Sequence, residues 1–470
     1  MRIRIVVSYV PRYDRGHTFH FVPPLTAIHL AAITPDEHQV EVVHEQAREV
    51  PVAADVDVVA ISYFSGFARR AYALADAYRA LGVKVVMGGP HATYWVDEAL
   101  AHADVVVTGE AESAWPELLR DLAGGEAKRV YRGEARELDG QPTPRYDLLE
   151  DRFVVRRVLQ ATRGCPFSCS FCSVPDLNPG FRVRPVAEVV RDLESPVRRG
   201  LARPWDDVAW FWDDNLLVKR RWAKELLAAM TGMRKTWLTQ ASIDIVKDRA
   251  LLDAMEKSGC IGIFLGIESL DDADLKSCSK RQNRASEYAD AVKRLHDRGI
   301  CVMAGFISGF DDQSADGIVR TADRLQSLGI DVPFLSILTP FRGTPLYDEQ
   351  LSAGRILEDR DWAHYNGYNV AFQPARMTPA ELLAAHRAQW RAAFAPRAVA
   401  ARLARGMRQL RPGALMLSGA MNAFYGHKRL TGNEPARAAA SPERITHARD
   451  ARPELVQLRA GRQATPLSPP

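Results

Sequence analysis

The stretch Thr162-Arg163-Gly164-Cys165-Pro166-Phe167-Ser168-Cys169-Ser170-Phe171-Cys172 puts three of the chain's six cysteines into one loop, spaced C-x3-C-x2-C. Thiolates are the natural ligands of iron–sulfur clusters, and a cubane cluster has four irons. Three cysteines therefore leave one iron without a protein ligand, and an open coordination position is what a catalytic metal centre needs. The apolar run Val154–Thr162 leads into the loop as a strand. A ligand loop at the carboxyl end of a strand is where a β/α barrel collects its active site. The competing readings are a zinc knuckle or three chance thiols. Zinc sites pair C-x2–4-C with a second pair or with histidines, and no fourth Cys or His lies close by in the sequence. Cys260, Cys278 and Cys301 have no such spacing and read as ordinary thiols. Six cysteines so distributed are not a disulfide framework.

Downstream of the loop, Val208–Trp212, Trp237–Ala241, Ile261–Ile267, Val302–Ile307 and Phe334–Leu338 are strand candidates separated by amphipathic helices. Five or six parallel strands with helical crossovers predict a partial or full β/α barrel over 156–345. Trp210 and Trp212 share one face of their strand with Asp214, while Phe211 points the other way with Asp213. One face can line a cavity and the other is core. Arg342-Gly343-Thr344-Pro345 ends the last strand, either closing the site or making a plain turn.

Upstream, residues 1–125 alternate strand and helix as a Rossmann-like, doubly wound parallel sheet requires. Its strands are Ile3–Tyr9, Val40–Val43, Val56–Ser62, Val83–Met87 and Val105–Thr108. Pro23-Pro24 opens a helix with Leu25, Ile28 and Ala32 on one face and His29 at its edge. Ala71–Leu81 and Trp115–Leu122 read as the later helices. Ligands of such sheets bind beyond the carboxyl ends of the strands, so the turns after Ser62, Met87 and Thr108 are the places to look. Residues 126–155 read as a linker holding a small strand pair. Residues 346–428 form a helical C-terminal extension whose arginines read as a solvated face, and 429–470 an expected disordered tail. The fold class is thus α/β: a Rossmann-like sheet, a partial TIM-like barrel, then helices.

The formal net charge is +4. From Lys428 onward there are eight Lys or Arg against four Asp or Glu, so this tail carries the whole excess. The remainder gives no electrostatic reason to expect nucleic acid. No apolar run reaches the ~18 residues of a membrane span, and the charged start resembles no signal peptide, so a cytoplasmic location is expected.

The cysteine spacing resembles that of the radical S-adenosylmethionine superfamily. The resemblance implies a [4Fe–4S] cluster on Cys165, Cys169 and Cys172 whose open iron chelates S-adenosylmethionine. It implies reductive cleavage to methionine and a 5′-deoxyadenosyl radical, with electrons from an external flavodoxin- or ferredoxin-type donor. Further positions resemble the family's in the expected order. Phe171 takes the aromatic place that packs the adenine. Asp213 and Asp214 resemble the polar pair for the amino group, and Glu268 the ribose carboxylate. Gly305-Phe306-Ile307-Ser308-Gly309 resembles the G-x-I-x-G strand beside the adenine. Taken singly, each has a plainer reading as a helix cap or a close backbone approach.

The N-terminal domain resembles the cobalamin-binding subclass of that superfamily, through Pro23-Pro24-Leu25, Ala60-Ile61-Ser62, Gly88-Gly89-Pro90-His91-Ala92-Thr93 and Gly109-Glu110-Ala111-Glu112. With the barrel, the resemblance covers residues 1–345. It implies cobalamin against Ser62, Gly88, Gly89, Pro90, Gly109 and Glu110, where small residues let a flat corrin approach the backbone. One motif departs. The D-x-H-x-x-G that ligates cobalt in many cobalamin domains has only Asp36-Glu37-His38-Gln39-Val40-Glu41 as a near match, before the second strand and without the Gly. His17 and His20 lie in the right loop but read as surface residues. The expected activity is C-methylation of a small, lipid-like or amphipathic substrate by a radical methyltransferase. A radical cyclase is the rival in the same class, and a cobalamin- or cluster-binding sensor the rival in another. A methylthiotransferase would bring three more cysteines ahead of Cys165, and there are none.

Overall fold

The computed structural model describes residues 1–13, 20–198, 203–357 and 361–435. His17 and most of the 429–470 tail lie outside them. Val- and Ile-rich runs without polar alternation form strands buried on both faces. The first six are β1 (Arg2–Val7), β2 (Gln39–His44), β3 (Val58–Ser62), β4 (Lys84–Gly88), β5 (Val105–Gly109) and β6 (Val130–Gly133). They pair in the order β2-β1-β3-β4-β5-β6, all parallel. The order reverses at β1/β3, the switch point of a doubly wound sheet. Residues 126–155 do not make a strand pair of their own, since β6 joins the edge of this sheet beside β5. The first helix runs Thr26–Ala32 and buries Ala27, Ile28 and Ala31. Its buried face is shifted from the one expected because the helix starts after Leu25, not at the prolines.

The second sheet contains β7 (Arg157–Leu159), β10 (Val208–Phe211), β11 (Thr236–Ala241), β12 (Cys260–Glu268), β13 (Cys301–Ser308) and β14 (Val332–Ile337). Between β7 and β10, β8 (Thr162–Arg163) and β9 (Arg182–Val183) form an antiparallel ribbon framing the cysteine loop. The barrel strands lie in sequential order and all pair parallel, but β7 and β14 do not meet. This is a partial β/α barrel, open on one side.

Its two faces differ. Outward residues such as Phe211, Trp237, Ile263 and Val302 are fully buried beneath the amphipathic helices. The inward residues Trp210, Gln240, Phe264 and Phe334 are only partly buried. A closed barrel of this type fills its interior with side chains; here those inward side chains are not fully sealed.

The C-terminal extension folds as helices Pro379–Ala393, Pro396–Gln409 and Pro412–Leu430, each with proline in the first turn. The third packs Ala414 and Leu417 against Leu238, Ile261 and Met303 at the amino end of the lumen. Gly262 makes room for it, since a Cβ there would overlap Leu417. The arginines are not simply a solvated face. Arg402 is buried and donates to Asn422 Oδ1 at 2.9 Å, while Arg405 donates to the carbonyls of Gln326 and Ile330. The buried Asn422 amide in turn donates to the carbonyls of Asp331 and Ser418, each at 2.9 Å. Asn422→Ala strands these groups without partners, so it should lower stability by about 2–3 kcal/mol. Denaturant unfolding of purified protein measures this as an earlier midpoint at unchanged slope.

Candidate active site

Gly164 is the pivot of the cysteine loop. It has φ +86°, and a Cβ there would overlap the Gly180 carbonyl, so only glycine fits. Its N–H donates to Asp214 Oδ2 at 3.0 Å. Ser170 ties the loop to the barrel, donating to the Cys278 carbonyl and accepting from Leu346 N–H. The three thiols lie within electrostatic reach of one another, and burial pushes Cys172 up to about 11 and Cys169 upward too. Two amides donate towards the sulfurs: Asn215 Nδ2 at 3.7 Å from Cys165 Sγ, and Gln282 Nε2 at 3.8 Å from Cys169 Sγ. Such bonds set the potential of an iron–sulfur centre.

The expected pair Asp213 and Asp214 divides. Asp213 lies on the outer face with Phe211 and is 0% exposed. It accepts from Ala161 N–H, Thr162 N–H and Thr162 Oγ1, the last at 2.7 Å. That corrects its expected role: Asp213 holds the chain leading into the cysteine loop and has no oxygen for a ligand. Asp214, on the lumen side, remains the acidic group beside Gly164.

Glu268 closes β12 with φ +66°, after a register shift between Gly266 and Glu268. Its carboxylate occupies the space above Gly266, where a Cβ would overlap Oε1, and Oε2 lies beside Gly305. The two glycines make room for side chains: the Glu268 carboxylate and Lys280 Nζ sit over Gly266, and the Phe264 ring over Gly305. Lys280, not anticipated from the sequence, donates to Glu268 Oε1 at 2.8 Å. It is only 9% exposed and stands 6.0 Å from the Phe171 ring centroid. The only available signal was Ser279-Lys280-Arg281-Gln282-Asn283, a polar run straight after a buried cysteine. Cys260, Cys278 and Cys301 are buried free thiols, with Cys278 pushed up to about 12 by burial. Ile307 faces the Phe171 cluster. Gly309, at φ +113°, lies against Leu382 and Phe372 away from Glu268.

The carboxyl ends of the first sheet face this site. Ser62, Gly88 and Gly89 form a low ledge, and Pro90 begins the helix Pro90–Tyr94. Gly89 and Gly109 both have positive φ, and a Cβ on either would strike the chain itself, at Tyr63 and at Gly133. The fold thus requires these two glycines whether or not a ligand approaches. Glu110 is another correction. It is buried and accepts from Arg163 at 2.7 Å and from Arg182, so it joins the domains and is not free to bind a cofactor. Arg163 also donates to Glu112 at 2.7 Å, and Glu112 meets His29 Nε2 at 2.9 Å. Burial opposes ionisation of Glu112, but His29 and Arg163 outweigh it and hold its carboxyl well below the usual range. Arg342 stacks 4.1 Å from the Trp95 ring centroid, and a Cβ on Gly343 would overlap Tyr94, so that turn does close the seam. His38 contacts the amino terminus of Met1 beside the start of β2, far from the ledge. His20 is not at the surface but buried, its ring centroid 6.0 Å from that of Phe153.

Residues 159–325 match the family model of the Radical SAM superfamily, and residues 22–119 that of the B12 binding domain. The bacteriochlorophyllide d C-12(1)-methyltransferase of Chlorobaculum tepidum is 32% identical over 70% of this chain and 72% of its own. The chain belongs to the radical S-adenosylmethionine superfamily, in its B12-binding branch. It is a radical S-adenosylmethionine enzyme whose cofactors are a [4Fe–4S] cluster, S-adenosylmethionine and cobalamin. The anaerobic magnesium-protoporphyrin IX monomethyl ester cyclase of Cereibacter sphaeroides is 27% identical over 63% of this chain and 53% of its own. The fold is that of the methyltransferase TsrM from Kitasatospora setae, solved with cobalamin and a [4Fe–4S] cluster: TM-score 0.63, 16% identity, 96% of this chain and 99% of that one.

The residues present fit these groups: three soft thiolates in one loop, the Glu268 carboxylate beside the Phe171 ring and Lys280, and low strand ends at Ser62, Gly88 and Gly89 opposite. Two predictions follow from the polar contacts. Arg163→Met leaves two buried carboxylates short of a cation and costs about 3–5 kcal/mol, seen as a lower thermal midpoint that Arg163→Lys does not restore, because only the planar fork reaches both. Burial pushes the Asp213 carboxyl up to about 7, against donors that favour its ionised form. A carboxyl harder to ionise in the folded chain than in the unfolded one costs stability as pH rises towards its folded value. Asp213→Asn cannot ionise, so calorimetry between about pH 5 and 8 should show a shallower fall of its midpoint than the parent's.

Proposed function

We propose that this enzyme is a cobalamin-dependent methyltransferase acting on an unactivated carbon of a small, apolar or amphipathic substrate. The observation that carries the reading is the inward face of the open barrel, where Trp210, Phe264 and Phe334 stay partly accessible while the outward residues are sealed. A substrate there would lie between the two cofactor sites. Cys165, Cys169 and Cys172 would hold the cluster. Asp214, Glu268, Phe171, Ile307 and Gly305 would hold S-adenosylmethionine. Ser62, Gly88, Gly89 and Pro90 would border the corrin, with Gly109 shaping the neighbouring turn. Bound together, these cofactors supply a carbon radical and a methyl group.

The chain's own residues then have three tasks. Glu268 and Lys280 hold each other in place at the end of β12. Asn215 and Gln282 direct N–H groups at the cysteine sulfurs. The seam from Glu110 to Gly343 shuts water out of the lumen, protecting reactive species from side reactions. Electrons would come from an external low-potential donor. Relatives named for methylation and for ring formation on tetrapyrroles support a substrate of this kind, and leave two reactions to separate.

Anaerobic reconstitution with iron, sulfide and hydroxocobalamin, followed by S-adenosylmethionine and a strong reductant, makes the separation by mass spectrometry. Methyl transfer predicts both 5′-deoxyadenosine and S-adenosylhomocysteine, with Cys169→Ala losing only the former. Deoxyadenosine without S-adenosylhomocysteine would favour the ring-forming reading. Neither product from cluster-loaded protein would overturn both.

A further inference from the structure

The two ends of the chain differ in charge. Residues 382–470 hold 15 of the 62 Lys and Arg but 4 of the 58 Asp and Glu, so this end carries +11 and residues 1–381 carry −7. From Leu382 to Asn433 there is no Asp or Glu at all. Such an asymmetry points to an anionic partner. Part of the charge is used inside the fold: Arg402, Arg405 and Arg411 donate to amide and backbone oxygens, and Arg391 pairs with Glu434. Arg397 and Arg408 are exposed on the helix Pro396–Gln409 and make no ion pair with any described residue. Beyond residue 435 the sequence sets six arginines against three acids, so that stretch adds to the excess and does not cancel it.

These cations flank an apolar surface. Helices Pro396–Gln409 and Pro412–Leu430 lie side by side and antiparallel, Gly406 against Leu415 and Gly426 against Val399. The longer helix buries Ala414, Leu417, Ser418 and Asn422 and leaves Met416, Ala420, Ala423, His427 and Leu430 exposed. Spacings of three and four put the exposed set on one face, about 21 Å long. The solvent side of a surface helix is ordinarily charged or polar, whereas here histidine is its one polar residue. Met416 is 66% exposed and Leu430 69%, and Met407, across the turn between the helices, is 68% exposed. These three are half of the six large hydrophobic side chains exposed among the described residues, gathered on one helix pair. Clustered exposure of this kind marks an interaction surface.

The nature of the partner follows from combining the two features. Nucleic acid offers phosphates but no place for methionine and leucine side chains. A second copy would set cation against cation. An electron donor must approach the cysteine loop, whereas Ile261, on which the longer helix rests, lies about 23 Å from Glu268 along β12. A bilayer with anionic headgroups takes both the charge and, just beneath it, the apolar side chains.

We propose that the helix pair Pro396–Gln409 and Pro412–Leu430 docks the enzyme onto an anionic lipid bilayer, with Arg397 and Arg408 at the headgroups and Met407, Met416 and Leu430 at the acyl boundary. The pair lies on the surface, since no helix among the described residues is long and apolar enough to cross a membrane. The assignment is independent of the reaction carried out in the barrel.

Protein loaded with cluster and cobalamin is sedimented with vesicles of equimolar phosphatidylcholine and phosphatidylglycerol, and with vesicles of phosphatidylcholine alone. Binding to the mixed vesicles should be roughly tenfold or more tighter, and should weaken as salt is raised. Met416→Ser with Leu430→Ser leaves the charge unchanged, and should lose roughly tenfold in binding while keeping the cobalamin absorption and the far-ultraviolet dichroism of the parent. Arg397→Gln with Arg408→Gln should bind more weakly and respond less to salt. Equal binding to both vesicles, binding to neither, or undiminished binding by the serine variant overturns the proposal. So does a parent dimer, seen by analytical ultracentrifugation, that the serine variant dissolves, which would give the face to a second copy. Equally tight binding of a DNA duplex also overturns it, reducing the effect to adsorption on any polyanion.

Discussion

Arg163 stands one residue before Gly164 and two before Cys165, and its guanidinium is held by carboxylates from the other domain. Glu110 and Glu112, just past β5, take its two ends, while Arg182 meets the other oxygen of Glu110 and His29 shares Oε1 of Glu112. Removing these charges from water is expensive, and the cost is recovered only when every partner is in place. The network therefore tolerates one relative placement of the two sheets. Since β8 carries both Arg163 and the start of the cysteine loop, fixing Arg163 against β5 also fixes the thiols against the ledge at Ser62 and Gly88. An apolar seam of the same area would allow more sliding, because it lacks direction.

The barrel solves a related problem by separating its faces. Side chains alternate along the strands, with outward residues sealed under helices and the inward Trp210, Gln240, Phe264, Ile307 and Phe334 left partly accessible. Asp213 and Asp214 show the result in one dipeptide. The outward carboxylate straps the chain at Ala161–Thr162, and the inward one accepts the Gly164 N–H. The helix Pro412–Leu430 completes the arrangement by filling only the amino end of the lumen.

What could be read in the sequence was local. The three cysteines, Gly164, Phe171 and Glu268 announce themselves through spacing within one loop or at one strand end, and the parallel strands through continuous Val and Ile runs. What could not be read was who meets whom. Glu110 looked like a cofactor contact because it ends a strand at the right edge, but its neighbours, Arg163 and Arg182, are distant in sequence. Asp213 was grouped with Asp214 by adjacency, although adjacent strand residues face opposite ways. Lys280 and Gln282 carry no motif and become visible only when the turn after Cys278 folds over the cysteine loop. The strand of 126–155 paired with β5 because an exposed sheet edge was available, which composition does not reveal. Helix Pro412–Leu430 escaped for the opposite reason: its apolar residues fit a cavity, not a regular amphipathic stripe.

The cations of the molecule sort by how they are compensated, and the sorting has functional meaning. Arg163, Arg182 and Arg4 are matched by carboxylates within the fold and so act as structure. Lys280 is matched by Glu268 but at a strained backbone position beside the cysteine loop, where φ +66° for a glutamate is retained only if the surrounding contacts enforce it. Arg402 and Arg405 have only amide oxygens and backbone carbonyls as hydrogen-bond partners, and burial lowers the pKa of both, so the third C-terminal helix is held by cations with which no described acid pairs.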